Sequence, residues 1–318
     1  MRRIALMISV PLLAVAALAG CGSSSSQSSA SNVAVSGGFG SQPSVKIPSS
    51  KAGSSLTVKT LVHGSGPALT KSDAFIGNYA VYIWSGTSHR LAQSTFATKN
   101  PQLFAGPLLP GLETALVGQK MGSRVLAVVP PAQGYGKNGN PQAGVKPTDT
   151  LVFVVDMLKE FSPKASASGQ QVSGGGGNLP KVSAATGSQP QITIPSGKPP
   201  STLVAKTLIK GTGPAIQKGD TVVVQYVGEI WQSKKIFDAS WKRGQPFSFR
   251  IGSTPSQVIP GWDKGLLGQT VGSRVLLVIP PADGYGKTGQ AQAGIKGTDT
   301  LVFAVDVVGA VGPGQPAR

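Results

Sequence analysis

The sequence predicts an α+β architecture built twice, each copy a small sheet of roughly four or five strands curled over one short helix. Three observations carry that expectation. Self-similarity divides most of the 318 residues into two related segments, 56–161 and 202–311. Within them, apolar residues recur at alternate positions or in short Val/Leu-rich runs, as strands require. Only one helix start stands out in the second segment, at Pro260-Gly261-Trp262, where proline suits the first turn.

The duplication is read from matched motifs. Lys59-Thr60-Leu61 answers Lys206-Thr207-Leu208, and Gly122-Ser123-Arg124-Val125-Leu126 answers Gly272-Ser273-Arg274-Val275-Leu276. Gly134-Tyr135-Gly136-Lys137 returns as Gly284-Tyr285-Gly286-Lys287, and Thr148-Asp149-Thr150-Leu151-Val152-Phe153 as Thr298-Asp299-Thr300-Leu301-Val302-Phe303. The offset grows from 147 (Thr60 to Thr207) to 150 (Thr150 to Thr300), so the second copy has gained length between Trp231 and Pro260. Two units of this size are tandem domains, not a solenoid. In the second copy Val222, Val224, Tyr226, Gly228 and Ile230 alternate along a strand, Pro246 to Ile251 alternate along another, and Arg274–Ile279 and Leu301–Val308 supply two more.

The flanks read differently. Arg2-Arg3 followed by apolar Ile4 to Leu18 has the charge and length of an export signal. Leu18-Ala19-Gly20 then leads into Cys21, the single cysteine. This resembles the bacterial lipobox, which implies a signal peptide over 1–20, lipidation of Cys21, and a membrane-anchored protein on the extracytoplasmic side. A plain secretory signal and a short anchor are the other readings; the run is short for a membrane span, and a lone exposed thiol is a liability in an oxidising compartment. The Ser/Gly-rich stretch 21–55 reads as a flexible tether, 162–201 as a flexible linker spanning roughly 35 Å as a coil, and 312–318 as a tail. Lys and Arg outnumber Asp and Glu by 29 to 12, giving a net charge of +17. No dense basic run follows Arg2-Arg3, so the excess reads as scattered surface lysines, and an exported protein has no call to bind nucleic acid.

Catalytic constellations are sparse. His63 and His89, the only histidines, both lie in the first copy and outside any metal-ligand spacing. No nucleophile elbow, phosphate loop or dinucleotide fingerprint occurs, and no cofactor is expected. The second copy offers instead an apolar aromatic basin with one acid, Asp238, beside Phe237. Such a basin suits a reaction that needs binding and desolvation more than proton transfer. Rotation about a prolyl amide is that kind of reaction.

Tyr226-Val227-Gly228, Phe237-Asp238, Pro246-Phe247, Val258-Ile259-Pro260-Gly261-Trp262, Gly284-Tyr285-Gly286 and Thr300-Leu301-Val302-Phe303 resemble, in order and spacing, the FKBP family of macrolide-binding prolyl isomerases. The resemblance covers essentially all of 202–311. It implies a twisted antiparallel half-barrel wrapped round the helix, Xaa-Pro segments of exported polypeptides as substrates, macrolides as further ligands, and a monomer. It places the pocket on Tyr226, Phe237, Asp238, Phe247, Val258, Ile259, Trp262, Tyr285, Ile295 and Phe303. Trp262 would be the floor, Tyr226, Phe247 and Phe303 the walls, and the Ile259 N–H and Tyr285 hydroxyl the holders of ligand carbonyls. Arg243 stands at a family position and is read equally well as a surface charge. Gly289 to Gly294 replaces a loop that in many relatives carries a histidine.

The first copy departs from the pattern. Leu112 stands for Trp262, Gln93 for Asp238, Ala92 or Leu91 for Phe237, and Leu108-Leu109 for Val258-Ile259. It is expected to be a degenerate domain that keeps the scaffold and loses the pocket. Two functions follow: an isomerase working through the second domain, or a non-catalytic chaperone or adaptor that holds apolar and Pro-containing segments.

Overall fold

The computed structural model describes residues 32–172 and 178–313. The predicted signal peptide, Cys21, the glycine run 174–177 and the end of the tail lie outside the described residues. The chain opens on a hairpin, β1 (Ala34–Ser36) and β2 (Ser44–Lys46). It continues through β3 (Thr57–Val62), β4 (Ala74–Ser85), β5 (Ser88–Ser94), β6 (Gln102–Phe104), helix α1 (Pro110–Leu116), β7 (Arg124–Val129) and β8 (Thr150–Phe161). The first sheet is antiparallel in the order β3-β7-β8-β4-β5, with β6 also pairing β4.

The second half repeats the plan. A short strand β9 (Gln170–Gln171) and a hairpin, β10 (Lys181–Ser183) and β11 (Gln191–Thr193), precede β12 (Val204–Lys210), β13 (Thr221–Ile230) and β14 (Ile236–Ala239). Then come α2 (Ser240–Arg243), β15 (Phe247–Arg250), α3 (Pro260–Leu266), β16 (Arg274–Ile279) and β17 (Leu301–Val311). The order is β14-β13-β17-β16-β12-β9, with β15 on β13. The α+β class agrees with the sequence reading, and so does the short helix inside each sheet, α1 and α3; the one-turn helix α2 beside β13 is an addition.

The central strands are largely buried, and β7, β13 and β16 are buried along their whole length. Strands covered on one face alternate, whereas strands covered on both read as unbroken Val/Leu runs. On the inner face Val275, Leu277 and Ile279 share a core with Trp262 and Leu266 of α3. The outer face is covered by the preceding hairpin. In the second copy Ile194 packs with Trp231, Leu276, Val278 and Val302, and Val182 and Ile192 lie against them. In the first, Val33 and Ile47 pack with Trp84, Leu126, Val128, Val152 and Val154.

These hairpins correct two expectations. The stretch 21–55 is not tether throughout, because residues from Val33 to Ile47 are bound down on the first sheet. The stretch 162–201 is not a free linker either, since β9 pairs with β12 and the β10–β11 hairpin closes the back of the second sheet. Composition misled because a two-strand flap needs only a few apolar residues, spaced among Ser and Gly, to cover a sheet already formed. The first flap is further tied by the buried Arg124–Asp156 pair at 2.6 Å. Arg124 donates to the Gly37 and Ser41 carbonyls, and the Gly40 N–H donates to Asp156.

The two domains also touch, whereas a flexible linker over 162–201 would have let them reorient. Ile76 and Phe161 of the first join Val223 and Val311 of the second in one apolar cluster. Thr221 donates to Asn100 Oδ1, and Gln225 to the Pro163 carbonyl. A Cβ on Gly309 would lie 2.6 Å from the Phe161 ring, so only glycine lets β17 come this close.

Candidate active site

Helix α3 sets the site. Added Cβ atoms at Gly261 and Gly265 would stand 2.6 Å from the Ile279 and Leu277 side chains, so the two glycines let the helix lie directly on β16. Trp262, between them in sequence, is then carried into the basin and is 4% exposed. Four rings meet it largely edge to face: Tyr226 at 5.1 Å, Phe303 at 5.3 Å, Phe249 at 5.5 Å and Phe247 at 6.2 Å between centroids. That geometry places positive ring edges on negative faces. Phe237 meets Phe303 at 5.5 Å and 85°. The Trp262 indole N–H is buried and has no partner among the described residues. An open donor at the floor costs stability, which a ligand acceptor would recover.

A cavity of about 220 Å³ lies above this floor, lined by Tyr226, Phe237, Asp238, Phe247, Gln257, Val258, Ile259, Trp262, Tyr285 and Phe303. Every predicted pocket residue is present except Ile295. That residue is buried in the same core, its backbone paired with Gln290, and does not line the cavity. Gln257 was missed. It arrives on the loop between β15 and α3, where its side-chain carbonyl accepts from the Arg250 N–H at 2.7 Å. Asp263 pins the same loop, accepting from the Gly252 N–H at 2.8 Å and the Ser256 hydroxyl at 2.6 Å.

The rim is polar. The Tyr226 hydroxyl donates to Asp238, and Arg243 binds both Asp238 and, at 3.0 Å, the Tyr226 hydroxyl. Arg243 does not line the cavity but braces two residues that do. Burial, with the bond to Asp238, pushes the Tyr226 phenol up to about 12. Tyr285, 37% exposed, is also raised, by burial and the nearby Asp238 charge, so its hydroxyl stays a neutral donor. Neither that hydroxyl nor the Ile259 N–H has a partner among the described residues. Those residues hold no cluster of metal-binding side chains.

The first copy holds a cavity at the same place, which the sequence reading did not expect. It measures about 730 Å³. Strand register fixes the correspondences. Val81 opposite Gln93 matches Gly228 opposite Asp238, so Ala92 and not Leu91 replaces Phe237. Phe75 opposite Phe104 matches Val222 opposite Phe249, so Gln102 stands for Phe247. Leu112 stands for Trp262 in the helix. Three rings are missing, and residues that are core in the second copy line the opening: Val145, equivalent to Ile295, and Leu151, equivalent to Leu301.

The second domain thus presents an aromatic basin with a few polar groups at its rim, set on a twisted antiparallel sheet round a short helix. A family model described as FKBP-type peptidyl-prolyl cis-trans isomerase matches residues 72–158 and 213–308, and the chain belongs to that family. The FK506-binding protein of Streptomyces anulatus is 42% identical over 120 residues, 38% of this chain and 95% of that protein. The Probable FK506-binding protein of Corynebacterium glutamicum is 38% identical over 122 residues, 38% of this chain and 98% of that one. The crystal structure of the three FKBP domains of wheat FKBP73 aligns over 81% of this chain and 95% of its own at 23% identity, with a TM-score of 0.32.

Proposed function

We propose that the second domain isomerises Xaa-Pro bonds of exported polypeptides at the outer face of the cell membrane, tethered through Cys21. The observation that carries this is the ring-sized cavity over Trp262. At about 220 Å³ it falls below the roughly 300–1,000 Å³ of sites for drug-sized ligands, and it suits one proline ring. The barrier to rotation, roughly 18–20 kcal/mol, comes from amide resonance. Resonance puts negative charge on the carbonyl oxygen, and water stabilises it in the planar ground state. Seating the amide among Tyr226, Phe237, Trp262 and Phe303 removes that water and favours the twisted form. The Ile259 N–H and the Tyr285 hydroxyl hold peptide carbonyls, and the Asp238–Arg243–Tyr226 group fixes the polar edge nearest the twisting bond. The relatives named for FK506 suggest that macrolides compete for the same basin.

The test is an isomerisation assay without coupled protease, run on the full chain with a range of Xaa-Pro peptides. Trp262→Leu, the first copy's own residue, should lower kcat/KM by on the order of tenfold or more. Turnover undiminished by that change, or absent from the unaltered chain, would end the reading. Location is tested separately: Cys21→Ser should release the protein from membranes of the producing cell.

A further inference from the structure

We propose that the first-domain cavity is a second peptide site, selective for a bulky aromatic side chain of an extended, uncharged segment in place of a proline ring. Three observations carry this. The volume, about 730 Å³ against about 220 Å³ in the second domain, exceeds what a five-membered ring fills. The space is opened by Leu112, Ala92 and Gln102, each standing where the other copy has an aromatic ring, so the walls are shaped to receive rings from outside. No side chain lining it carries a formal charge at neutral pH; the polar ones are Tyr79, Tyr135, Gln93 and Gln142. That set matches the neutral N–H and C=O groups of a peptide backbone and gives no counter-charge for an ionic ligand.

The backbone-facing groups survive while the side-chain pocket changes. Leu109 precedes α1 as Ile259 precedes α3, and its N–H has no partner among the described residues. Tyr135 keeps the place of Tyr285 and is 38% exposed. This step rests on the reading that Ile259 and Tyr285 hold peptide carbonyls in the second domain. The rim has lost its acid and its cation, since Gln93 replaces Asp238 and Thr98 falls at the position of Arg243. The first domain therefore holds a segment where the second turns over a bond.

The experiment titrates the full chain with an uncharged, proline-free peptide carrying a central tryptophan, and follows binding by calorimetry. Leu112→Trp, which fills the cavity, should weaken binding about tenfold or more, while binding persists in Trp262→Leu. Ala92→Phe, at an exposed position, narrows the same mouth and serves if Leu112→Trp fails to fold, as judged by its unfolding transition. Binding unaffected by either first-domain change, binding lost in Trp262→Leu, or no binding at all would overturn the proposal. So would a preference for a fatty acid over the peptide. Prolyl turnover is read in a separate assay, so an inactive second domain with an intact tryptophan-peptide site would sink the isomerase reading and leave this one standing.

Discussion

Trp84 and Trp231 hold the same place in the two copies, and each donates its indole N–H to a carbonyl of the segment that precedes its own domain. Trp84 reaches Ser50 at 2.9 Å and Trp231 reaches Gly197 at 3.0 Å. Both rings are buried in the cluster that joins flap to sheet. The bond anchors the C-terminal end of each flap, and the ring fills the space beneath it.

Trp231→Ala should therefore destabilise the second domain by roughly 3–5 kcal/mol, the usual cost of emptying a buried aromatic site. Trp231→Phe keeps most of the apolar contact and should cost about 1 kcal/mol through the lost hydrogen bond. Urea unfolding checks both. Hydrogen exchange over 191–194 should speed up in the alanine variant before the β16 amides are affected.

Gly228 faces two rings. A Cβ there would stand 2.7 Å from Phe303 and 2.8 Å from Phe237, so any side chain must push both walls of the basin. Gly228→Val should cut kcat/KM by up to about a hundredfold, the scale set by displacements of about an ångström in a reacting group, with the fold retained. The first copy already carries Val81 at this position, opposite a strand where Ala92 has removed one of the two rings. Steady-state kinetics on the full chain decides the matter; full activity would show that the Phe237–Phe303 contact is dispensable.

Alkaline pH tests the rim. Tyr226 ionises near 10 when unfolded and near 12 in the fold, because burial and the Asp238 carboxylate disfavour the phenolate. A raised pKa means that the neutral form is the stabilised one. Its contribution is present in full below pH 10 and is lost as pH rises toward about 12. Tyr226→Phe should flatten that part of the stability–pH curve. An ultraviolet tyrosinate titration should then lack its latest-ionising component.

Gly309 and Phe161 meet closely across the boundary between the domains. Gly309→Val would force the Phe161 ring away from β17, since even a Cβ would lie 2.6 Å from it. Small-angle scattering should show a larger radius of gyration, while prolyl turnover stays within about twofold because the change lies outside the basin. An unchanged scattering profile would mean that the remaining apolar contacts and the Thr221 and Gln225 bonds hold the domains together unaided.

Much of this was legible in the residues. Aromatics and Gly/Pro breaks at fixed spacing identify the second-domain basin, because its chemistry needs rings and few other side chains can stand in. The first-domain cavity was not legible, since losing rings was read as losing the pocket. On a scaffold that does not collapse, smaller side chains leave space, and only the register of β4, β5 and β6 shows how much. The flaps had a signal that composition obscured. Gly40-Ser41-Gln42-Pro43 and Ile47-Pro48-Ser49 return as Gly187-Ser188-Gln189-Pro190 and Ile194-Pro195-Ser196 at the same 147-residue offset. Their Ser and Gly content suggested loose chain, although Val35, Val45, Val182 and Ile192 are the residues that dock. Gln257 was hidden because it comes to the basin on a loop that is four residues longer between β15 and α3 than between β6 and α1.

The flaps also decide where this protein can be cut. The heritable unit is the flap together with the sheet it covers, so a fragment starting at 202 is an incomplete module, although the motif match alone suggests that boundary. Its exposed back would carry Trp231, Leu276, Val278 and Val302, a greasy plate beside an unpaired strand edge, and such fragments stick to one another. A fragment beginning at 178 carries its own cover and should stay dispersed at concentrations where the shorter one precipitates.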